Sequence, residues 1–366
     1  MAHRVARSVF IAISVIMSLL LISDCSRSRE QSTAEDNSVV VPQGDQTLII
    51  FNWENYIGKD TVKNFEKETG IEVVEVFFPN EEEMLGAVQS GLGDYDLVVA
   101  SDDAVREMRQ AKMLFELDYT KIPNFQYIDL KFLNRAWDPE QKFSVPYLWG
   151  TLGIVVNTKY VPETDDSWGI LFDVTYDGRI AMLDDPWEAM VAASKYLGNS
   201  INTSDESELA DLSAKLLEQK PIVEGYVDAE TMHDWLVEEK VWIGIYYNGD
   251  ALYAGEINEN LRYFVPKEGS VQYVDLFIIP KKAKHVEAAH MFLDFILRPE
   301  VAAAIASEYW YATPNSAAEK LMDPEVLSSA VVYPSEEILS RCEFFETGGE
   351  ADRAISKTWA TLMVED

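Results

Sequence analysis

The chain has 366 residues, of which 48% are hydrophobic, and this length and composition suit a globular protein of two ordinary domains rather than a disordered or fibrous one. It carries 30 basic and 63 acidic residues, which gives a net charge of -33. This excess of acid argues against a nucleic-acid partner, because binding a phosphate backbone requires clustered Lys and Arg, and it favours cationic partners.

The first 24 residues have the pattern of an export signal. Arg4 and Arg7 precede an apolar run from Val9 to Ile22, which is shorter than the ~20 apolar residues that a membrane-spanning helix needs. Cys25 follows the run and the letters "SD", where a lipoprotein signal places the Cys that is acylated after cleavage. We therefore expect a signal peptide over residues 1–24 and a lipid on Cys25; an ordinary secreted Cys is the alternative.

Residues 25–46 are polar and poor in aromatic side chains, a composition that predicts a flexible tether between the anchor and a folded body. Once Cys25 is acylated, Cys342 has no intrachain partner. We therefore expect no disulfide framework.

Strands and helices alternate after the tether. The segments "TLIIFNW", "IEVVEVFF" and "YDLVVA" predict strands, whereas "DTVKNFEKETG", "NEEEMLGAVQSG" and "SDDAVREMRQAKM" predict the helices that follow each of them. A second region of this kind follows "YLWGTLGIVVNTKYVP" and contains the strands "RIAML" and "VWIGIYY". The segments "VDLFIIP" and "VEAAHMFLDFILRP" then return to the first body. This alternation implies βαβ units with a parallel sheet, and hence the α/β class.

Acidic and aromatic side chains follow four of the predicted strands. They lie in "WENY" after the first strand, "SDDA" after the third, "LDDPWE" after "RIAM" and "YNGDA" after "VWIGIY". Ligands of open α/β sheets bind at the carboxyl ends of strands, so these segments predict a binding site; a helix N-cap is the alternative for each segment alone. Aromatic faces and carboxylates both bind ammonium groups, and the pattern therefore favours an elongated organic cation.

Motifs for catalysis and for cofactors are lacking in the sequence. It contains no Gly-x-Ser-x-Gly elbow, Walker loop or His-Glu-x-x-His. His285 and His290 are five residues apart and do not share a helix face at metal-ligand spacing. We therefore expect no catalytic residues, no metal and no cofactor.

The chain resembles the periplasmic spermidine/putrescine-binding proteins of polyamine ABC importers, from about Leu48 into the C-terminal region. The resemblance is carried by "FNWENY", "ETGIEV", "YDLVVAS", "VPYLWGTLGIVVN", "LDDPWEAM", "YNGDA", "FLDFILRPEVA" and "YATPNSAAEKLMDPEV", in the family's order and spacing. It implies a periplasmic binding protein-like fold of type II, in which two α/β lobes, each a mainly parallel sheet flanked by helices, are joined by crossover strands and enclose the ligand in a cleft. We expect the first lobe at 47–152 plus 273–320 and the second at 153–272 plus 321–366.

The resemblance also implies a function. It describes a receptor that captures putrescine or spermidine and delivers it to the membrane subunits of an ABC importer. We expect a monomer in the periplasm, held to a bacterial membrane by the lipid on Cys25. A surface lipoprotein that binds a host or structural protein, and a binding protein for another organic cation, are the alternatives.

A set of ligand-binding residues follows from the same resemblance. Trp53 and Tyr56 match the family's aromatic pair, and Asp275 matches the carboxylate that anchors an ammonium group. Between Trp53 and Tyr56 the chain departs from the family, because its acid lies one residue earlier, and Asp103 is a candidate replacement. At the C-terminal position the match falls on Phe345 or Glu346. The predicted set is Trp53, Glu54, Asn55, Tyr56, Asp103, Asp185, Glu188, Tyr247, Tyr273, Asp275 and Phe345.

Overall fold

The computed structural model describes residues 47–54, 56–91, 93–346 and 350–364, and the side chains of the last helix from residue 355 onward. The predicted signal peptide over 1–24, the tether over 25–46 with Cys25, and Asn55 lie outside the described residues. Within the described ranges, none of the helices combines the length and the apolarity that crossing a bilayer requires.

One sheet runs through the described body. Its strands are β1 Thr47–Asn52, β2 Glu72–Phe77, β3 Leu97–Ser101, β4 Ser144–Asn157, β5 Ile180–Leu183, β6 Val223–Val227, β7 Ile243–Tyr247, β8 Leu261–Phe264 and β9 Gln272–Ile278. Neighbouring strands follow the order β2-β1-β3-β9-β4-β7-β5-β6, and β8 pairs with β4.

Helices connect these strands, and local sequence signals set their ends. Ser101 accepts a hydrogen bond from the backbone N–H of Ala104 and so caps the helix that follows β3. Gly70 ends the first helix in the left-handed conformation, with φ 74°, which glycine adopts without steric cost. The helices are α1 Thr61–Thr69, α2 Glu81–Ser90, α3 Asp102–Gln110, α4 Pro186–Leu197, α5 Glu206–Gln219, α6 Ala229–Val237, α7 Asn248–Ile257, α8 Val286–Ile296, α9 Pro299–Tyr309, α10 Pro324–Leu327, α11 Glu336–Leu339 and α12 Glu350–Val364.

Strand β4 passes from one half of the sheet to the other. Strands β1, β2 and β3 are parallel to one another, and β9 lies antiparallel to β3. Residues 144–151 of β4 pair with β9, whereas residues 152–157 pair with β7 and β8. On the far side, β5 runs parallel to both β6 and β7. The long β4 therefore belongs to both halves and connects them.

Two hydrophobic cores lie along this sheet. The first contains Leu48 of β1 and Phe292 of α8, and the second contains Leu171 and Ile243 of β7. All four side chains are buried, so each core excludes water independently of the other. The fold is therefore a two-lobed α/β structure, as predicted, and we call the bodies around the two cores the first lobe and the second lobe.

The chain after β9 contributes to both cores. Met322, Val326 and Val332 pack into the first core. Phe344 and Phe345 then diverge, because successive residues of an extended segment point to opposite sides, and they pack into the first and the second core respectively. The lobe boundaries of 47–152 plus 273–320 and 153–272 plus 321–366 stay a prediction.

Candidate functional site

The carboxyl ends of several strands meet where the two lobes join. Trp53 follows β1, Ser101 ends β3, Asp185 follows β5 as the N-cap of α4, and Tyr247 ends β7. Asp275 lies on β9, directly opposite Ser101 in the antiparallel register. The fold thus gathers side chains from distant segments near the middle of β4, where Asp275 pairs with Leu148 and Tyr247 pairs with Leu152.

Asp275 and Tyr56 form the first-lobe side of this site. Asp275 is 9% exposed and accepts a hydrogen bond from the Tyr56 hydroxyl. The Tyr56 ring packs edge-on against Tyr147 and Tyr311, with ring centroids 5.6 and 5.3 Å away. Tyr147 also donates a hydrogen bond of 2.6 Å to the backbone oxygen of Tyr56. These contacts fix the position of the Asp275 carboxylate.

The electrostatic surroundings of Asp275 disfavour its negative charge. Burial raises the pKa of Asp275 to about 7; the hydrogen bond from Tyr56 lowers the pKa and the negative charge of Glu81 raises it. No basic side chain of the described residues forms an ion pair with Asp275. A bound cation would therefore stabilise the ionised carboxylate.

Glu188, Asp185 and Tyr247 form the second-lobe side. Glu188 lies in the first turn of α4, is 8% exposed, and accepts a hydrogen bond from the Tyr247 hydroxyl. Asp185 accepts a hydrogen bond of 2.7 Å from the backbone N–H of Trp187. Burial raises the pKa of Glu188 well above its usual range, and the adjacent Asp185 carboxyl raises it further. These two carboxyls share one poorly solvated space, which again suits a cation.

Aromatic side chains connect the two sides. The ring of Tyr273, on β9, meets that of Tyr247 edge to face at a centroid distance of 5.1 Å. The Tyr273 hydroxyl donates a hydrogen bond of 3.0 Å to Oδ1 of Asn248, at the start of α7. A Cβ atom placed on Gly249 would lie 2.2 Å from the hydroxyl of Tyr311, so a glycine allows this close approach. The tyrosines thus form walls between the two groups of carboxyls.

Four predicted site residues lie at the margin of this arrangement. Trp53 is partly buried, and its ring packs against Phe78 at 4.4 Å. Glu54 is exposed, and Asn55 lies outside the described residues. The other two are Asp103, which forms a 2.8 Å ion pair with Arg106, and Phe345, whose ring packs against Trp187 at 5.4 Å.

Four further polar residues near these side chains were missed by reasoning from the sequence. Asp102 and Asp250 lie inside the quoted segments "SDDA" and "YNGDA", but a helix cap was the simpler interpretation. Burial raises the pKa of Asp250 to about 6. Glu81 resembled an ordinary acidic residue at a helix N-terminus, and Tyr311, which follows α9, carried no local signal. Burial raises the pKa of Tyr311, and the charges of Asp250 and Asp275 add to it.

The described side chains suit the binding of a cation. Groups of three or more His, Cys, Asp or Glu side chains that could hold a metal ion are not found among them. The carboxyls instead raise one another's pKa values, and tyrosine rings separate them. This combination of carboxyls and rings suits an organic cation with several charges and apolar links, because carboxylates bind ammonium groups and rings pack against the links.

Comparison with known proteins shows the family of this chain. Residues 60–330 match the model of the family described as bacterial extracellular solute-binding protein. The spermidine/putrescine-binding periplasmic protein of Salmonella typhimurium is 34% identical over 320 residues, which cover 87% of this chain and 92% of the relative.

Two solved structures show the same fold. One is the spermidine/putrescine ABC transporter substrate-binding protein PotD from Streptococcus pneumoniae, with a TM-score of 0.81 and 34% identity over 87% of this chain and 98% of the other. The second is the Tp0655 (TpPotD) lipoprotein of Treponema pallidum, with a TM-score of 0.76 and 30% identity over 86% of this chain and 99% of the other. The chain therefore belongs to the bacterial extracellular solute-binding protein family.

Proposed function

We propose that this protein is a receptor that binds the polyamines putrescine and spermidine between its lobes and delivers them to an ABC importer. The observation that carries the proposal is the buried Asp275 carboxyl, which lacks an ion-pair partner among the described residues and accepts a hydrogen bond from Tyr56. Glu188, buried and bonded to Tyr247, supplies a second carboxyl. The names of the relatives in Salmonella and Streptococcus support the same ligand class.

The contacts available are strong enough for such a ligand. An ammonium group gains ~0.5 to 2 kcal/mol from an aromatic face, and a hydrogen bond to a charged group contributes ~1.5 to 3 kcal/mol. A few contacts of each kind reach the −8 kcal/mol or so of a micromolar complex after the costs of association. Carboxyls at Asp275 and Glu188 with tyrosines between them offer contacts of both kinds.

The proposal includes the location of the receptor. The relative in Salmonella is periplasmic and the neighbour in Treponema is a lipoprotein, and the N-terminal sequence ends its apolar run close to Cys25. These observations support a periplasmic protein held by a lipid on Cys25, and the proposal takes the receptor to be a monomer. Mass spectrometry of the protein from membranes tests this anchor: a diacylated N-terminal Cys25 is expected, and an unmodified Cys25 would contradict it.

Isothermal titration tests the ligand. The chain from residue 26 onward is unfolded and refolded to remove bound ligand and is titrated with putrescine, spermidine and spermine in parallel. We expect micromolar or tighter binding of putrescine or spermidine, and a loss of at least about a hundredfold in Asp275→Asn, because a charged hydrogen bond and its Coulomb attraction are removed. Glu107→Gln, which removes an exposed charge on α3, serves as the control. The absence of heat with all three amines would contradict the proposal.

A further inference from the structure

Asp102 is a buried carboxyl that the contacts described so far leave without a role. It is the first residue of α3 and is 5% exposed. Ser101, not Asp102, caps this helix. The Oδ2 atom of Asp102 is buried and accepts no hydrogen bond among the described residues. A buried polar atom in a native protein usually has a hydrogen-bond partner. The unpartnered Oδ2 atom of Asp102 therefore indicates that a ligand group binds there.

The neighbours of Asp102 are mostly negative. Glu81 reaches the same place from α2 and accepts a hydrogen bond of 3.1 Å from the backbone N–H of Ser101. Burial raises the pKa of Asp102 well above its usual range, the charges of Asp103, Asp275 and Glu81 raise it further, and Arg106 lowers it. Four carboxyls thus face one guanidinium, which is itself paired with Asp103.

This negative group extends toward the second lobe. Burial raises the pKa of Glu81 and its hydrogen bonds with Ser101 lower it. The charges of Asp103 and Asp185 raise it further. Asp185 in turn neighbours Glu188. Glu81 lies beside Ser101, which pairs with Asp275 across β3 and β9, and its carboxyl also senses the charge of Asp185.

We propose that Asp102 and Glu81 form a third ammonium-binding position, so that the site holds three protonated nitrogens rather than two. This proposal rests on the function proposed above and makes it more specific. One nitrogen lies at Asp275, one at Asp185 and Glu188, and one at Asp102 and Glu81. A triamine fills all three positions, whereas a diamine leaves the Asp102 oxygen without a partner. The residue pair thus selects the triamine spermidine over the diamine putrescine.

Paired titrations with spermidine and putrescine test this selection. We expect Asp102→Asn to weaken spermidine binding at least about tenfold, since one charged hydrogen bond is lost, and putrescine binding less than about threefold. Glu81→Gln keeps a side-chain oxygen that accepts the hydrogen bond from the Ser101 backbone N–H. It is also expected to weaken spermidine binding more than putrescine binding. Glu107→Gln removes an equal charge from the exposed face of α3 and is expected to leave the ratio of the two affinities unchanged.

The outcomes separate this selection from the proposed function. If Asp102→Asn and Glu81→Gln weaken the binding of spermidine and putrescine equally, or weaken neither, the third ammonium-binding position is overturned. Polyamine binding by the wild-type chain would not be affected by that result. Wild-type protein that binds neither amine would overturn both. Thermal unfolding without ligand checks the variants, and Asp102→Asn is expected to be at least as stable as wild type because it removes a buried, repelled charge. If Asp102→Asn fails to fold, Glu81→Gln decides the question alone.

Discussion

At the scale of single residues, Asp275 makes ligand binding depend on pH. Its pKa of about 7 means that the free carboxyl is mostly protonated at pH 6 and mostly ionised at pH 8. A cationic ligand binds the ionised form, so we expect affinity for spermidine to fall about tenfold from pH 8 to pH 6. Titrations at pH 6, 7 and 8 measure this change.

The variant Asp275→Asn isolates the contribution of this carboxyl. It cannot ionise, and its weaker binding is therefore expected to change less between pH 8 and pH 6 than that of wild type, by the roughly tenfold share of this group. Glu107→Gln is expected to keep the full pH dependence of wild type. An affinity of wild type that is the same at pH 6 and pH 8 would contradict this role of Asp275.

The sequence predicts some of these residues and not others. Tyr56, Tyr247 and Asp275 lie in segments that resemble a known family, and the structure brings them close to one another. Glu81 and Asp102 were not predicted, because acidic residues in the first turn of a helix are common and their shared burial arises only when α2 and α3 meet. Burial and like-charge repulsion depend on the packed structure and leave no local pattern.

At the scale of elements, the start of α7 packs closely against a side chain of the first lobe. Gly249 lies beside Tyr311 of the first lobe, and a Cβ there would lie 2.2 Å from its hydroxyl. We expect Gly249→Ala to weaken spermidine binding at least about tenfold, because the closed arrangement becomes less populated. The melting temperature without ligand is expected to stay within a few degrees of wild type, since Ala favours a helix. Titration and thermal unfolding measure the two effects.

Gly255 supplies the matched control on the same helix. A Cβ placed there meets nothing within 4 Å, so Gly255→Ala changes helix propensity without a clash. It is expected to bind spermidine as wild type does. Equal affinities of Gly249→Ala and Gly255→Ala would show that the contact with Tyr311 has no part in binding.

The positions of helices and strands along the chain were predicted better than the pairing of the strands in the sheet. Hydrophobic periodicity and terminating glycines place α1, α2 and the strands between them, and Gly70 and Gly91 do end the two helices in left-handed conformations. The passage of β4 through both halves of the sheet could not be derived from periodicity. A fully buried strand gives a continuous apolar run whatever its neighbours are.

At the scale of the whole molecule, the buried carboxyls are expected to make the ligand-free protein more stable in mild acid. The folded-state pKa of Asp275, about 7, exceeds the usual value of 3.8, so the folded state binds this proton more tightly than the unfolded state. The free energy of unfolding therefore rises as pH falls through 7, by about 1.4 kcal/mol from pH 8 to pH 6 for this group alone. Asp102 and Glu188, whose pKa values are also raised, act in the same direction.

Urea unfolding of ligand-free protein at pH 8, 7 and 6 measures this gain. In Asp275→Asn the increase in the free energy of unfolding from pH 8 to pH 6 is expected to be smaller by about 1.4 kcal/mol, because the amide does not titrate. A free energy of unfolding that is constant or falls from pH 8 to pH 6 would mean that these carboxyls are already solvated or paired.

The two-lobed architecture was predictable because an alternating pattern of strands and helices recurs in two regions. The later segments β9 and α8 return to the first core, where Phe277 and Phe292 pack. The divergence of Phe344 and Phe345 into separate cores was not foreseen, since two adjacent aromatics in a loop carry no indication of which body each one joins.

The most direct test of the central claim is a crystal structure of the protein with spermidine. We predict ligand nitrogens about 3 Å from the carboxylate oxygens of Asp275 and of Glu188, with tyrosine rings along the methylene chain. A structure in which spermidine lies elsewhere, or in which the space between Asp275 and Glu188 stays free of ligand at saturating spermidine, would contradict the account.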